Sequence, residues 1–252
     1  MARFNEAIDQ ALAESVATYS TELARSRDTF LAILGHDLRT PLGAMWGAVE
    51  ILAKSANQAA QAAAYAAANR SLNSMGTMIR DLLDYTRTRL GKGIPIAPDT
   101  ANLERVCAAS VEEMSLAHPG ASFALTAEGD TTGAFDRERM HQVVSNLLGN
   151  AVQHAEPGSQ VVLRAGIEDE MLWFGVTNRG PLIAPEHLHS IFDPLVQLVP
   201  GEDARASNMG LGLFIAREIV RAHGGKIEAS SSVEQGTTFA VKLPRQRLAP
   251  HA

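Results

Sequence analysis

The sequence predicts an α + α/β fold: a long helical hairpin that pairs with a second copy into a four-helix bundle, followed by a mixed α/β domain. Three observations carry this. Apolar residues recur in steps of three and four from Phe4, Ile8, Leu12 and Val16 through Phe30, Leu34, Leu38, Leu42, Met45, Val49 and Leu52, too long a run for a lone surface helix. The stretch Gly91-Lys92-Gly93-Ile94-Pro95-Ile96-Ala97-Pro98 then breaks the helical pattern with two glycines and two prolines. Beyond it, helical and strand-like segments alternate between turn residues.

In the hairpin, residues 56 to 68 are rich in alanine, the best helix former, and lead into a second stripe at Tyr65, Leu72, Met75, Ile79, Leu82 and Tyr85. Two such helices carry more apolar surface than they can bury against each other, so a homodimer is expected. His36 is two residues from both Leu34 and Leu38, which puts its ring roughly opposite the stripe Phe30, Leu34, Leu38, Leu42 and Met45, facing solvent or a partner. Asp37 can accept from Nδ1 and hold the tautomer whose Nε2 is a free nucleophile. Pro41 removes one backbone hydrogen bond beside it. Thr40 lies one turn along the same face, where its hydroxyl can orient a water for a partner that docks at His36.

After the break, residues 102 to 117 read as a helix ended by His118-Pro119-Gly120, and Ser122 to Ala127 as extended. Asp136 is the expected N-cap of a helix reaching about Ala155. Strands Gln160 to Ile167 and Met171 to Thr177 follow, joined by the acidic turn Glu168-Asp169-Glu170. A helix at about 211 to 223 and strands Lys226 to Ser231 and Thr237 to Leu243 close the domain. The boundaries expected are a helix or linker over 1–24, the hairpin over 25–91, a linker over 92–100, the mixed domain over 101–245 and a tail over 246–252.

Composition narrows the function. The chain is 46% hydrophobic and 20% charged, an ordinary globular balance. Its net charge of −6 comes from residues after 90, which hold 13 Lys+Arg against 19 Asp+Glu, and no basic stripe suggests a nucleic-acid surface. Cys107 is the single cysteine, which excludes an intrachain disulfide framework and fits a reducing compartment. No apolar run approaches a membrane span and no signal-type segment opens the chain, so a cytoplasmic location is expected.

Three clusters carry chemistry. Asn146 and Asn150 lie at i and i+4 on one helix face, and their amide oxygens are hard, neutral ligands suited to Mg²⁺. Asn178-Arg179-Gly180 follows a strand, where the glycine lets a flat base approach the backbone and the asparagine can accept from an exocyclic amine. Met209-Gly210-Leu211-Gly212 opens a helix whose free N–H groups favour phosphate. The segment from Val199 to Asn208 before it has the composition of a lid. Singly, each is equally an ordinary surface amide, turn or helix start.

Together and in this order they are more specific. His36 in a helical hairpin, the Asn146/Asn150 pair, the Asn178-x-Gly180 turn, Ile191-Phe192-Asp193-Pro194 and the Gly210-x-Gly212 helix start resemble the H, N, G1, F and G2 boxes of the two-component sensor histidine kinases. Gly224-Gly225-Lys226-Ile227-Glu228 and Gly236-Thr237-Thr238-Phe239 look like the family's final hairpin, so the resemblance spans about 25 to 244. It implies a dimerisation and phosphotransfer hairpin followed by an ATP-binding α/β sandwich of the gyrase and histidine-kinase type. His36 would be the phosphoacceptor, Asp37 its acidic neighbour and Thr40 the residue of a phosphatase step. Asn146 and Asn150 would hold Mg²⁺ and the phosphates of ATP, Asn178, Gly180 and Thr237 the adenine, and Gly210 and Gly212 the phosphate tail. Gln153, His154, Phe192 and Leu211 would complete the nucleotide site. The implied partner is the receiver domain of a response regulator.

Departures from the family pattern are specific. Its G1 aspartate is Asn178, its second G1 glycine is Leu182, and the glycine ahead of the G2 pair is Asn208. Gln153 and Gln197 stand where a cation is common. Those two glutamines favour a competing reading, a dimeric phosphotransfer adaptor with a degenerate ATP site. A related ATPase or serine kinase is a third reading, but it gives His36 no role.

Overall fold

A computed structural model describes residues 34–196 and 210–245. The expected features at 1–24, Phe30, Gln197, the 199–208 lid, Asn208, Met209 and the 246–252 tail lie outside the described residues. The chain divides into two compact units, one up to Met78 and one from Ile79.

In the first unit, α1 is described over 34–54 and stays helical through Pro41. Three residues turn it into α2 (Gln58–Arg89). Asn57 caps the second helix, its Oδ1 accepting from Ala59 N at 2.9 Å and Ala60 N at 3.3 Å. The expected core stripe needs correction. Leu42 is exposed, while Asp37, Pro41 and Ala48 are buried and Leu34, Leu38 and Met45 are half-buried. On α2, Tyr65, Leu72 and Ile79 are likewise exposed, and the buried row is Ala64, Ser71, Met78 and Tyr85, seven residues apart. Each helix therefore carries two adjacent apolar rows. At Ala64 and Tyr65 the smaller residue is the buried one, and Trp46 and Val49 on α1 are exposed as well.

The last turns of α2 belong to the second unit. Asp84 is buried and takes Arg139 in a two-pronged pair, Nη1 to Oδ2 at 2.5 Å and Nη2 to Oδ1 at 3.1 Å. Asp81 accepts from Gln142 Nε2 at 3.0 Å. Tyr85 meets the ring of Phe214 edge-on, with centroids 5.7 Å apart.

The body of this unit is a sheet covered on one face by three helices. β1 (Asp99–Asn102) pairs antiparallel with β3 (Thr132–Phe135) as a small separate sheet. α3 (Leu103–Ala117) is capped by Asn102, whose Oδ1 accepts from Arg105 N at 3.0 Å. The main sheet has the order β2-β4-β5-β7-β6, from β2 (Ser122–Ala127), β4 (Gln160–Glu168), β5 (Met171–Asn178), β6 (Lys226–Ser232) and β7 (Gly236–Pro244). Only β2 with β4 is parallel. The β4–β5 turn places Asp169 and Glu170 at φ 47° and 58°, the two positive values a two-residue type I′ hairpin requires.

Alternation sorts the sheet's faces. Val161, Leu163 and Ala165 of β4, Leu172, Phe174 and Val176 of β5, and Phe239, Val241 and Leu243 of β7 are all buried. They share the core with Val143, Val144, Leu147 and Leu148 of α4 (Arg137–His154) and with Ile215, Ile219 and Val220 of α5 (Gly212–Ala222). Asp136 caps α4 as expected, accepting from Arg139 N. The N–H of Asp136 donates to His223 Nε2 at 3.1 Å, while Nδ1 of that ring donates to Ile219 O at 2.7 Å, so the end of α5 is tied to the start of α4. Cys107 is buried in α3, and burial, with the nearby charge of Glu104, pushes its thiol up to about 12.

Candidate active site

In the first unit the hairpin presents an exposed imidazole on a buried carboxylate. The His36 side chain is 76% exposed and that of Asp37 is 9% exposed. Nδ1 lies 3.1 Å from Asp37 Oδ1. A carboxylate only accepts, so in a neutral ring this contact selects the tautomer with its proton on Nδ1 and its lone pair on Nε2. Thr40 is exposed one turn further along α1, as the spacing predicts.

In the second unit the remaining candidate residues gather at one end of the sheet, between α4 and α5. Asn146 donates from Nδ2 to Gly212 O at 3.0 Å, which joins α4 to the start of α5 and leaves Oδ1 unspent. The side chain of Asn150, one turn on, makes no hydrogen bond among the described residues. Two amide oxygens thus remain on one helix face, a donor set that fits Mg²⁺ with phosphate and water in its other positions. Among the described residues no group of three or more His, Cys, Asp or Glu side chains offers an alternative metal site.

Close backbone approach shapes the rest. A Cβ on Gly180 would sit 1.9 Å from His154 O, so the turn after β5 lies directly against the last turn of α4. Glu156 N adds a hydrogen bond to Arg179 O at 2.7 Å. Burial lowers the pKa of His154 at that junction. Gly210 adopts φ 64°, and a Cβ there would lie 3.0 Å from Val196 O. Its carbonyl accepts from Leu195 N at 3.1 Å, which brings the two flanks of the 197–209 segment together. Buried Leu211 caps α5, whose first intrahelical bond is Ile215 N to Leu211 O, so the N–H groups of Gly212, Leu213 and Phe214 lack helical acceptors. Phe192 is buried edge-on to Phe239, with centroids 6.2 Å apart, and Asp193 beside it pairs with Arg217 at 3.2 Å.

Asn178 and Thr237 stand opposite each other on β5 and β7, both buried. Sequence reading missed the third member of that row. Ser231 of β6 pairs with Thr237, its Oγ 2.8 Å from Thr237 Oγ1, and accepts from Ile183 N at 3.1 Å. It also missed Asp81, Asp84 and Arg139. The signal available for Ser231 was its even spacing from Ile227 and Ala229 on the inner face of β6.

Residues 135–247 match the family described as Histidine kinase-, DNA gyrase B-, and HSP90-like ATPase, and residues 26–91 match the His Kinase A (phospho-acceptor) domain. The sensor protein KdpD of Escherichia coli K12 is 31% identical over 96% of this chain and 27% of its own length. The bacteriophytochrome of Pseudomonas aeruginosa is 27% identical over 92% of this chain and 32% of its own. The chain therefore spans between about a quarter and a third of the length of these relatives. Full-length ShkA in complex with AMPPNP is similar at a TM-score of 0.61 and 26% identity, over 88% of this chain and 47% of that one. The Acinetobacter baumannii histidine kinase AdeS shares the fold at a TM-score of 0.59 and 18% identity, over 84% and 98%. No helix among the described residues is long and apolar enough to cross a membrane.

Proposed function

The chain belongs to the two-component sensor histidine kinases, carrying their phosphoacceptor and ATPase modules in that order, and on this premise we propose that it phosphorylates His36 from ATP and passes the group to an aspartate of a response-regulator receiver domain. The observation that supports this most directly is the exposed His36 ring held through Nδ1 by buried Asp37. In that tautomer the Nε2 lone pair attacks the γ-phosphorus, an N–P bond forms, and the bond from phosphorus to the β,γ-bridging oxygen breaks to release ADP. Asp37 stabilises the positive charge that develops on the ring. In the forward transfer the N–P bond breaks as an O–P bond forms on the receiver carboxylate, and His36 returns to its neutral form.

The second unit binds and orients the nucleotide. Asn146 Oδ1 and Asn150 Oδ1 would hold Mg²⁺, which when bound neutralises phosphate charge. The N–H groups that open α5 receive phosphate oxygens. Asn178 and Thr237 read the base against the turn at Gly180. Gln153, His154, Phe192 and Leu211 are assigned to the same nucleotide site. Thr40 is assigned to the reverse step, orienting a water toward the receiver's acyl phosphate.

The outward row of Leu42, Trp46 and Val49 on α1, with Tyr65, Leu72 and Ile79 on α2, favours a second copy of the hairpin as its cover, giving a homodimeric four-helix bundle. The test of the reaction is incubation with γ-labelled ATP and Mg²⁺. Label is expected on the parent, acid-labile and alkali-stable, and none on His36→Gln, whose ATP affinity should stay unchanged. Labelled His36→Gln, or acid-stable label on the parent, refutes the assignment.

A further inference from the structure

A row of three polar side chains crosses the nucleotide end of the sheet. Asn178 closes β5, Thr237 faces it on β7, and Ser231 faces Thr237 on β6. Asn178 and Thr237 are 3% and 4% exposed. The Asn178 side chain makes no hydrogen bond among the described residues, so its oxygen and its NH₂ are both open to a ligand beside the turn at Gly180.

The hydrogen-bonding polarity of this row is open. An aspartate at 178 would only accept, and would therefore demand a donor on the base. An asparagine presents its oxygen or, turned about its last torsion, its NH₂. Thr237 has the same freedom for a different reason. Ser231 Oγ already accepts from Ile183 N, and its contact with Thr237 Oγ1 at 2.8 Å runs in either direction. When Ser231 donates, the Thr237 proton is free to be given to a base acceptor. When Thr237 donates to Ser231, its remaining lone pair accepts from a base N–H.

Adenine shows an amine donor at C6 beside an acceptor at N1, whereas a 6-oxo purine shows an acceptor at C6 beside a donor at N1. The two edges are inverses. We propose that the base site of Asn178 and Thr237 takes 6-oxo purine nucleotides as well as adenine nucleotides, the amide and the hydroxyl pair reversing their polarity together. This rests on the nucleotide reading above and deepens it: Asn178 is a specificity-determining residue, and its consequence is relaxed base selectivity.

The test compares ATP with inosine triphosphate, the simplest 6-oxo purine triphosphate, by calorimetric titration of the full chain with Mg²⁺. The parent is expected to bind the two within about tenfold of each other, and Asn178→Asp to widen the ratio in favour of ATP beyond about a hundredfold, because a carboxylate meets O6 acceptor to acceptor. Thr237→Val should weaken both nucleotides without reinstating discrimination. ATP binding with inosine triphosphate weaker by more than about tenfold in the parent overturns the proposal, as does a ratio unmoved by Asn178→Asp. Binding of neither nucleotide overturns the functional reading itself, and this inference with it.

Discussion

Replacing Asp81 by asparagine is expected to stabilise the nucleotide-binding unit at neutral pH and to do almost nothing near pH 4. Burial pushes the Asp81 carboxyl from its ordinary 3.8 up to about 6, the Gln142 hydrogen bond opposing it, Asp84 adding to it, and Arg80 and Arg139 opposing it. Folding thus raises this pKa, so the folded chain holds the proton more tightly than the unfolded one. The stability that the proton supplies is complete below 3.8 and is lost as pH rises through 6. The shift corresponds to about 3 kcal/mol, which local relaxation reduces to an expected effect of roughly 1–3 kcal/mol. Asparagine is neutral throughout and keeps an oxygen for Gln142 Nε2. The difference between variant and parent should therefore grow from near zero at about pH 4 to a Tm rise of roughly 3–10 °C at about pH 7.5. Taking that difference cancels the other carboxylates, which titrate in both proteins. Thermal unfolding followed through Trp173, with Trp46→Phe in both backgrounds, reads the unit that contains Asp81. A difference that is flat from about pH 4 to about pH 7.5, or a variant less stable than the parent at neutral pH, refutes the reasoning.

Thr40→Ala is expected to leave labelling of His36 and forward transfer near normal while slowing dephosphorylation of the cognate receiver at least about tenfold, roughly 1.4 kcal/mol of barrier; equal dephosphorylation by both proteins counts against the role. Gly180→Ala forces a methyl onto the His154 carbonyl, and should weaken ATP binding at least about tenfold with a stability loss of roughly 1–3 kcal/mol; calorimetry showing parent affinity would mean that the turn is not part of the base site. Trp46→Glu places a charge in the outward apolar row and should convert a dimer to a monomer by light scattering, with the second unit still folded; a parent that is already monomeric contradicts the bundle.

The parts of the fold most legible in the sequence were those set by local chemistry. Asp136 announces α4, the Glu168-Asp169-Glu170 turn announces a hairpin, and Gly210-x-Gly212 announces the start of α5. The small sheet was not legible because β1 and β3 are four residues each and show no alternation of their own. They exist through each other and through Thr131, whose carbonyl and hydroxyl receive Leu103 N and Glu104 N. The hairpin's inward face was misjudged for a different reason. A period near 3.5 fixes which positions repeat but not which of two neighbouring rows turns inward, and at Ala64 and Tyr65 the smaller residue is the buried one. At the candidate site, His36, Asn146, Asn150 and Asn178 were singled out by their order along the chain, not one by one. Ser231 sits in a run of three serines, where its even spacing from Ile227 and Ala229 is a weak signal until its pairing with Thr237 singles it out. Asp81 and Asp84 carry no signal in the sequence, because the partners that hold them, Gln142 and Arg139, come from α4.

Cys107 is the chain's only thiol, and its burial in α3 has a use in the laboratory. With a pKa raised to about 12, its thiolate fraction at neutral pH is on the order of 10⁻⁵, and the surrounding side chains keep bulky reagents away. The native protein is therefore expected to react slowly with maleimides, so that a cysteine introduced at an exposed position becomes the preferred point of attachment. Dyes or spin labels placed singly on α1 or on the outer face of the sheet would then report distances and motion in an otherwise unaltered chain.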